Sequence, residues 1–212
     1  MWNVETAIRQ CAEDMIALVQ PACYLFREAP RLENVLCECM FRDFENARFT
    51  VEDTGSFKEH LTEKKGRIRY YMSVKAMDPY DLYSQDKSFY EFVDHKRWLL
   101  KKSLVRHLGL DSLFVQIPTS FLKLGHEVWC LHQVAFAFEP LNAKIIQVEK
   151  DSVFREDHMS EQDDICRQET SPARARRTVA FMTLPGFTLG NSIIKAKVYS
   201  MELMSMSRMA VG

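Results

Sequence analysis

The chain has 212 residues, with 28 Lys plus Arg against 29 Asp plus Glu and a formal net charge of -1. Nucleic-acid binding usually needs clustered positive charge, and this balance argues against it. Hydrophobic residues at 47% and charged residues at 27% match ordinary globular usage and exclude collagen-like, wholly disordered and disulfide-dense chains. One continuous core is affordable at this length, so residues 1–212 read as a single domain.

Val4, Ile8, Cys11, Met15, Leu18 and Val19 recur at steps of three and four until Pro21, which predicts an amphipathic helix. A second stripe, Leu32, Val35, Leu36, Cys39 and Met40, starts just after Pro30 and can extend to Phe44, so it reads as a helix packed antiparallel on the first. Glu52 to Gly55 read as loop, followed by a helix over the charged run LTEKKGRIR. Met77, Asp78 and Pro79 form a break, because proline lacks a donor and pushes its predecessor out of helical geometry. Phe89, Phe92, Val93, Trp98, Leu99 and Leu100 then predict a helix ending near Gly109, with Ser88 as its cap and Glu91 three residues on. The next helix runs from about Thr119 to Phe138, before Pro140, and is apolar over so much of its circumference that it belongs at the centre of the bundle.

Past residue 140 the period changes. KIIQVEK is short and β-branched; RTVAFMTL alternates Val179, Phe181 and Thr183 against Ala180 and Met182; NSIIKAKVYS alternates Ile194, Ala196 and Val198 against Lys195, Lys197 and Tyr199. These predict strands, the last two paired as an antiparallel hairpin across the turn region LPGFTLGN, with one face on the helices. Residues 156–175 are polar and lack a period, which predicts an exposed loop. The expected fold class is α+β and mainly helical: an antiparallel helical bundle over about residues 1–140, and a small antiparallel sheet of about three strands over 141–203.

Of the six cysteines, Cys11, Cys37, Cys39 and Cys130 fall on helical spacing, as buried free thiols do in a reducing compartment. The opening MWNVETAIRQ lacks a signal peptide's basic start and apolar block, and no apolar run reaches the roughly 18 residues of a membrane span. The expectation is an intracellular protein without disulfides, cytoplasmic and also compatible with the nucleus or the plasma-membrane periphery.

No constellation dictates a chemistry. His126, Cys130 and His132 in GHEVWCLHQ form the nearest thing to one. On a helix His126 and Cys130 are one turn apart and could share a metal, while His132 points away. A metal-dependent or cysteine-dependent enzyme built on these three is the rival reading; a buried helix histidine bonded to backbone is the commoner case. Cys37 and Cys39, two apart on a helix, face different directions and suit neither redox pairing nor chelation. Seven glycines with neither GxxxxGK nor GxGxxG argue against nucleotide chemistry of those types. Glu13 with Asp14, and Asp163 with Asp164, read as solvated neighbours. The basic runs Lys64, Lys65, Arg67, Arg69 and Arg174, Arg176, Arg177 read as solvated charge that could touch acidic partners or an anionic membrane surface. Trp129, Phe136, Phe138 and Phe181 are expected in the core. No catalytic, cofactor or metal residue is assigned.

Three blocks carry a resemblance. VWCLHQVAFAFEP (Val128 to Pro140), IIQVEKDSVFREDHM (Ile145 to Met159) and VAFMTLPGFTLGNSIIKAKVYSM (Val179 to Met201) resemble, in order and spacing, the end of the plant gravitropic-in-the-light and receptor-kinase-interacting protein family. CECMFRDFE and MDPYDL are collinear with it upstream. The family usually carries a longer N-terminal coiled-coil region, so an oligomerising arm is expected to be missing, and LLKKSLVRHLGLDSLFVQIP follows the family pattern loosely. The resemblance implies a non-enzymatic plant adaptor that acts through protein contacts, with a receptor-like kinase or a cytoskeletal component as partner, in light-dependent gravitropic growth or receptor-kinase signalling. It implies no cofactor and no catalytic residue.

Overall fold

Steps of three and four apolar residues become six helices among the described residues: α1 (Trp2–Leu18), α2 (Ala29–Phe41), α3 (Lys64–Val74), α4 (Pro79–Gln85), α5 (Lys87–Leu108) and α6 (Ser120–Ala135). The period-two segments become six strands: β1 (Lys144–Ile146), β2 (Met159–Glu161), β3 (Arg177–Leu184), β4 (Gly186–Leu189), β5 (Ser192–Ile194) and β6 (Ala196–Glu202). The structure is a computed structural model that describes residues 2–18, 29–47, 49, 64–108, 116–137, 143–162 and 177–202. Phe138, Cys23, Cys166, Asp163, Asp164, Arg174, Arg176 and the segments around 52–55 and 163–175 lie outside the described residues. The fold is α+β and mainly helical, as expected.

α1 buries Val4, Ile8, Cys11, Ala12 and Met15 against α6 and α2, while Leu18, expected on the same stripe, is exposed at its end. α2 buries the whole expected stripe, Leu32, Val35, Leu36, Cys39 and Met40, and adds Cys37 and Phe41. α4 was not legible as a helix: Asp78 caps it through the Tyr80 N–H at 2.8 Å with Pro79 in its first turn, so the sequence break is one turn's start. The cap of α5 is Asp86 rather than Ser88. Its Oδ1 accepts from the Phe89 N–H at 3.0 Å, so the cap lies two residues earlier than expected. α6 is the hub, packed on α1, α2, α3, α4 and α5.

The expected hairpin exists, but each leg changes sheets. β3 pairs antiparallel with β6, and after Pro185 and Lys195 the same two legs continue as β4 and β5, which pair with each other. Two sheets result: an antiparallel β1-β4-β5, and β2-β6-β3, in which β2 runs parallel to β6. LPGFTLGN is therefore mostly strand. The reversal itself needs only Gly190 and Asn191, with Gly190 at φ 56. At the other end of β4, a Cβ on Gly186 would sit 2.5 Å from the Ile194 oxygen and 2.7 Å from the Ala196 nitrogen. Only glycine lets the two legs pass this closely where they switch sheets. β2 lies inside the stretch expected as loop, and is joined to β6 by a side-chain bond from Ser200 Oγ to Glu161 Oε1.

Phe181 is half-buried, not core, against Tyr199 at 5.1 Å. The reason is two register shifts in the β3–β6 pairing, between Val179 and Phe181 and between Met182 and Leu184. Each irregularity breaks strict alternation, so Val179, Met182, Thr183 and Leu184 face inward together. The sheet meets the helices through the Asn34 Nδ2 donating to the Met182 oxygen at 2.7 Å, and through Phe187, whose ring lies 5.4 Å from Phe44.

Trp129, with no exposed surface, has ring neighbours on two other helices: Phe92 at 5.1 Å and Phe89 at 5.9 Å on α5, and Tyr70 at 6.4 Å on α3. Its Nε1–H donates to Tyr70 Oη at 3.1 Å, and Tyr70 donates to Asp86 Oδ2 at 3.1 Å. Trp129→Ala should lower unfolding free energy by about 3 to 5 kcal/mol, because it opens a cavity and strands this chain of bonds. Chemical denaturation reads this directly, and a midpoint equal to that of the native chain would contradict the central placing of α6.

Candidate functional site

α6 carries His126, Cys130 and His132, all buried. The structure brings the first two together and sends the third elsewhere. Cys130 Sγ lies 3.7 Å from His126 Nε2, while that same nitrogen lies 3.0 Å from the Val74 carbonyl oxygen. A carbonyl can only accept, so Nε2 carries the hydrogen in that bond and has no lone pair to take a proton from the thiol. Burial, and then the charge of Glu127, push the Cys130 thiol up to about 12. The pair has a histidine and a cysteine in contact without the polarity that nucleophilic activation requires.

His132 faces the opposite side, where Nε2 lies 3.0 Å from the Asn46 oxygen and therefore donates to it. Burial first, and the Arg67 cation next, hold His132 well below the ordinary imidazole range, so it is neutral at physiological pH. Among the described residues no three His, Cys, Asp or Glu side chains converge as a metal site would require. Cys37 and Cys39 are buried apart from any such role: burial raises both thiols, and Cys39 donates weakly to Ser103 Oγ at 3.5 Å.

Around His132 stands a cluster the sequence reading did not identify. Lys96 of α5 is fully buried, and Arg67 of α3, expected in solvent with Lys64, Lys65 and Arg69, is 2% exposed. Lys96 Nζ donates to the Arg42 oxygen at 2.6 Å and lies 4.5 Å from the Phe49 ring centre. Arg67 donates to the Ala47 oxygen and to Gln133 Oε1 at 3.1 Å, and its guanidinium stands over Phe136 at 5.3 Å. Lys96, His132 and Arg67 thus bind the oxygens of residues 42, 46 and 47, the segment that leaves the C-terminal end of α2. This segment has Asp43 at φ 62, with Phe49 beyond it at φ 58, a left-handed backbone uncommon for an aromatic residue. Phe44 and Phe49 fill the space beneath, edge-on to the His132 ring at 5.1 and 4.2 Å. The arrangement holds a loop in place by bonds from two basic side chains and a neutral imidazole to carbonyls just past a helix end, where carbonyls are otherwise unpartnered.

The basic run at the start of β3 is also spent on structure where it is described. Arg177 pairs with Glu156 at 3.0 Å and Glu161 at 3.6 Å, and covers the Phe154 ring at 4.3 Å. No helix among the described residues is long and apolar enough to cross a membrane.

Comparison with known proteins returns the family that the three sequence blocks resemble, and the match spans the second block and most of the third. Residues 145–199 match the model of the GIL1/IRKI C-terminal domain. The IRK-interacting protein of Arabidopsis thaliana is 23% identical over 172 residues, covering 79% of this chain and 30% of that protein. Protein GRAVITROPIC IN THE LIGHT 1 of the same plant is 25% identical over 192 residues, covering 79% of this chain and 33% of that protein. The chain spans about a third of the length of the curated relatives it matches. No solved structure matches.

Two measurements follow from the buried groups. Burial draws the Lys96 ammonium down from 10.5 to about 7. Between those values the unfolded chain binds the proton more readily, so stability should rise with pH from about 7, until the buried thiols, raised from 9.0, oppose it. Below 6.5, His132 acts in the same direction as Lys96, so acid destabilises. Lys96→Met should flatten the rise between about 7 and about 9 in urea midpoints; a slope matching the native chain would refute the assignment. Separately, Cys130 should react with iodoacetamide about a hundredfold slower in the native state than in urea, because its thiolate is scarce and shielded. Mass spectrometry of alkylated peptides measures this, and fast native labelling would revive the cysteine-dependent reading.

Proposed function

We propose that this chain, whose residues 145–199 match the GIL1/IRKI C-terminal domain, is a non-enzymatic plant adaptor. It acts by protein contact in receptor-kinase signalling or light-dependent gravitropic growth, at the cytoplasm or the periphery of the plasma membrane. The relatives' names, one interacting with IRK and one gravitropic in the light, support this class of role. A receptor-like kinase is the first partner to test, with a cytoskeletal component second.

The observation that carries the non-enzymatic part is the use made of the three candidate side chains. His126 and His132 each spend Nε2 on a backbone carbonyl, and Cys130 is a buried thiol. Such groups stabilise an interior; catalysis needs them facing a reacting atom. A metal-dependent or cysteine-dependent enzyme using His126, Cys130 and His132 remains the rival, motivated by the 3.7 Å contact between the first two.

Immobilised chain should capture one or more proteins reproducibly from plant extract, and a receptor-like kinase should be among them. Heat-denatured chain, immobilised in the same way, serves as the control. If replicate captures share no protein beyond that control, the adaptor reading fails.

A further inference from the structure

The C-terminal half of α5 turns an aromatic and basic face to solvent. Leu99, Leu100 and Leu104 are buried on the inner side, while Trp98 is 55% and Val105 39% exposed on the outer side. Lys101, Lys102 and Arg106 are exposed beside them, and residues 98 to 106 contain no acidic residue. Among the described residues no ion pair engages any of these three cations. The N-terminal half of the same helix differs: Glu91 pairs with Lys87 at 3.6 Å and Asp94 with Arg97 at 3.5 Å. Positive charge therefore concentrates where the exposed tryptophan stands.

Trp98 is held, not loose. The His95 ring stacks on it at 6.0 Å with planes 29° apart, and Lys102 Nζ lies 4.9 Å from its centre. A large ring fixed in this way loses little conformational freedom on docking, and an exposed Trp with a cation on its face and two more on the same helix has the composition of an interface anchor. Exposure of this ring to water has no structural use, since the inner side of α5 already fills the core. We propose that the face formed by Trp98, Lys101, Lys102, Val105 and Arg106 docks an acidic protein segment, with the carboxylates on the cations and an apolar side chain on Trp98. This rests on the reading of the chain as a protein-binding module and names the chemistry of its partner.

A membrane surface is the competing anionic partner, and two observations disfavour it. Two exposed apolar residues are too few for the continuous apolar face that lies in a bilayer interface. Asp94 and Glu91 continue along the same helix and would face an anionic plane extending past the patch, whereas a short acidic segment can avoid them.

The test uses the purified full chain and a fluorescein-labelled oligoglutamate peptide carrying one central leucine, followed by anisotropy at low salt. The native chain should bind, and affinity should fall as salt rises. Lys101→Glu with Lys102→Glu should weaken binding by about tenfold or more, and Trp98→Ala by about fivefold at unchanged charge. Lys65→Glu with Arg69→Glu, an equal charge change on the exposed side of α3, should leave it unchanged. No binding by the native chain, or equal loss in the α3 variant, overturns the proposal while leaving the adaptor reading to its own capture experiment. Binding to phosphatidylserine vesicles that needs Trp98, without binding to the peptide, also overturns it in favour of a membrane face. Circular dichroism of each variant separates a lost contact from a lost fold.

Discussion

Three basic side chains from three helices converge on one short stretch of backbone, and much of the helical half depends on that convergence. Arg67, Lys96 and His132 come from α3, α5 and α6 and bind the oxygens of residues 47, 42 and 46. Each bond fixes the position of one helix relative to the end of α2. The aromatic layer then forms around it: Phe44, Phe49, Phe92, Phe136 and Trp129 all lie within ring-contact distance of this polar centre or of one another. A purely apolar core could reach the same density with helices in several registers. Directional bonds from three helices to one segment select among them.

This selectivity has an energetic cost. Taking a cation out of water costs several kcal/mol even after relaxation, and a hydrogen bond from a charged donor returns only about 1.5 to 3 kcal/mol. Phe49 and Phe92 add attraction across their faces for Lys96, up to about 2 kcal/mol where desolvated. These gains fall short of the cost, in keeping with the draw of burial on the Lys96 ammonium, down to about 7. No buried carboxylate is bonded to Lys96 among the described residues; Asp43, which favours its charged form, acts from a distance. The cluster therefore specifies an arrangement more than it stabilises one.

Residues whose role follows from local period were readable in the sequence, and residues whose role depends on distant partners were not. The stripe on α2 was legible whole because Leu32, Val35, Leu36, Cys39 and Met40 all point one way. Lys96 and Arg67 occupy the same kind of stripe, four residues after Phe92 and three before Tyr70, so their spacing signalled burial while their charge argued for solvent. Charge conceals such burial, because the carbonyls that receive these two side chains sit 54 and 20 residues away. The β half shows the same limit. The hairpin was visible in its alternation, but the sheet switch at Pro185 and Lys195 and the two register shifts that turn Phe181 outward depend on which strand lies alongside. The candidate site was legible in its residues and illegible in its polarity: that His126 reaches Cys130 followed from one helical turn, whereas the Val74 oxygen that occupies its Nε2 lies 52 residues upstream.

The family match and the polar cluster fall on different parts of the chain, and the fold explains how they can belong to one unit. The matched residues 145–199 run from β1 through most of β6. They contain neither α5 nor the cation cluster, yet they are bound to both by short links: Phe187 of β4 packs on Phe44, whose neighbours Arg42 and Asn46 give their oxygens to Lys96 and His132. Lys197 of β6 reaches Glu5 of α1 at 3.2 Å, and Gln162 bonds the same carboxylate at 3.3 Å. The β half thus packs on the helices through contacts of which one, Phe187 on Phe44, requires the loop after α2 to be in place. A substitution that frees this loop would loosen the packing of β4 before it reached the ladder between β3 and β6, because Phe44 is the shared element and the ladder is held by its own backbone bonds. Phe44, a residue outside the matched segment, is thus one junction of the two halves, beside Asn34 on Met182 and Glu5 on Lys197 and Gln162.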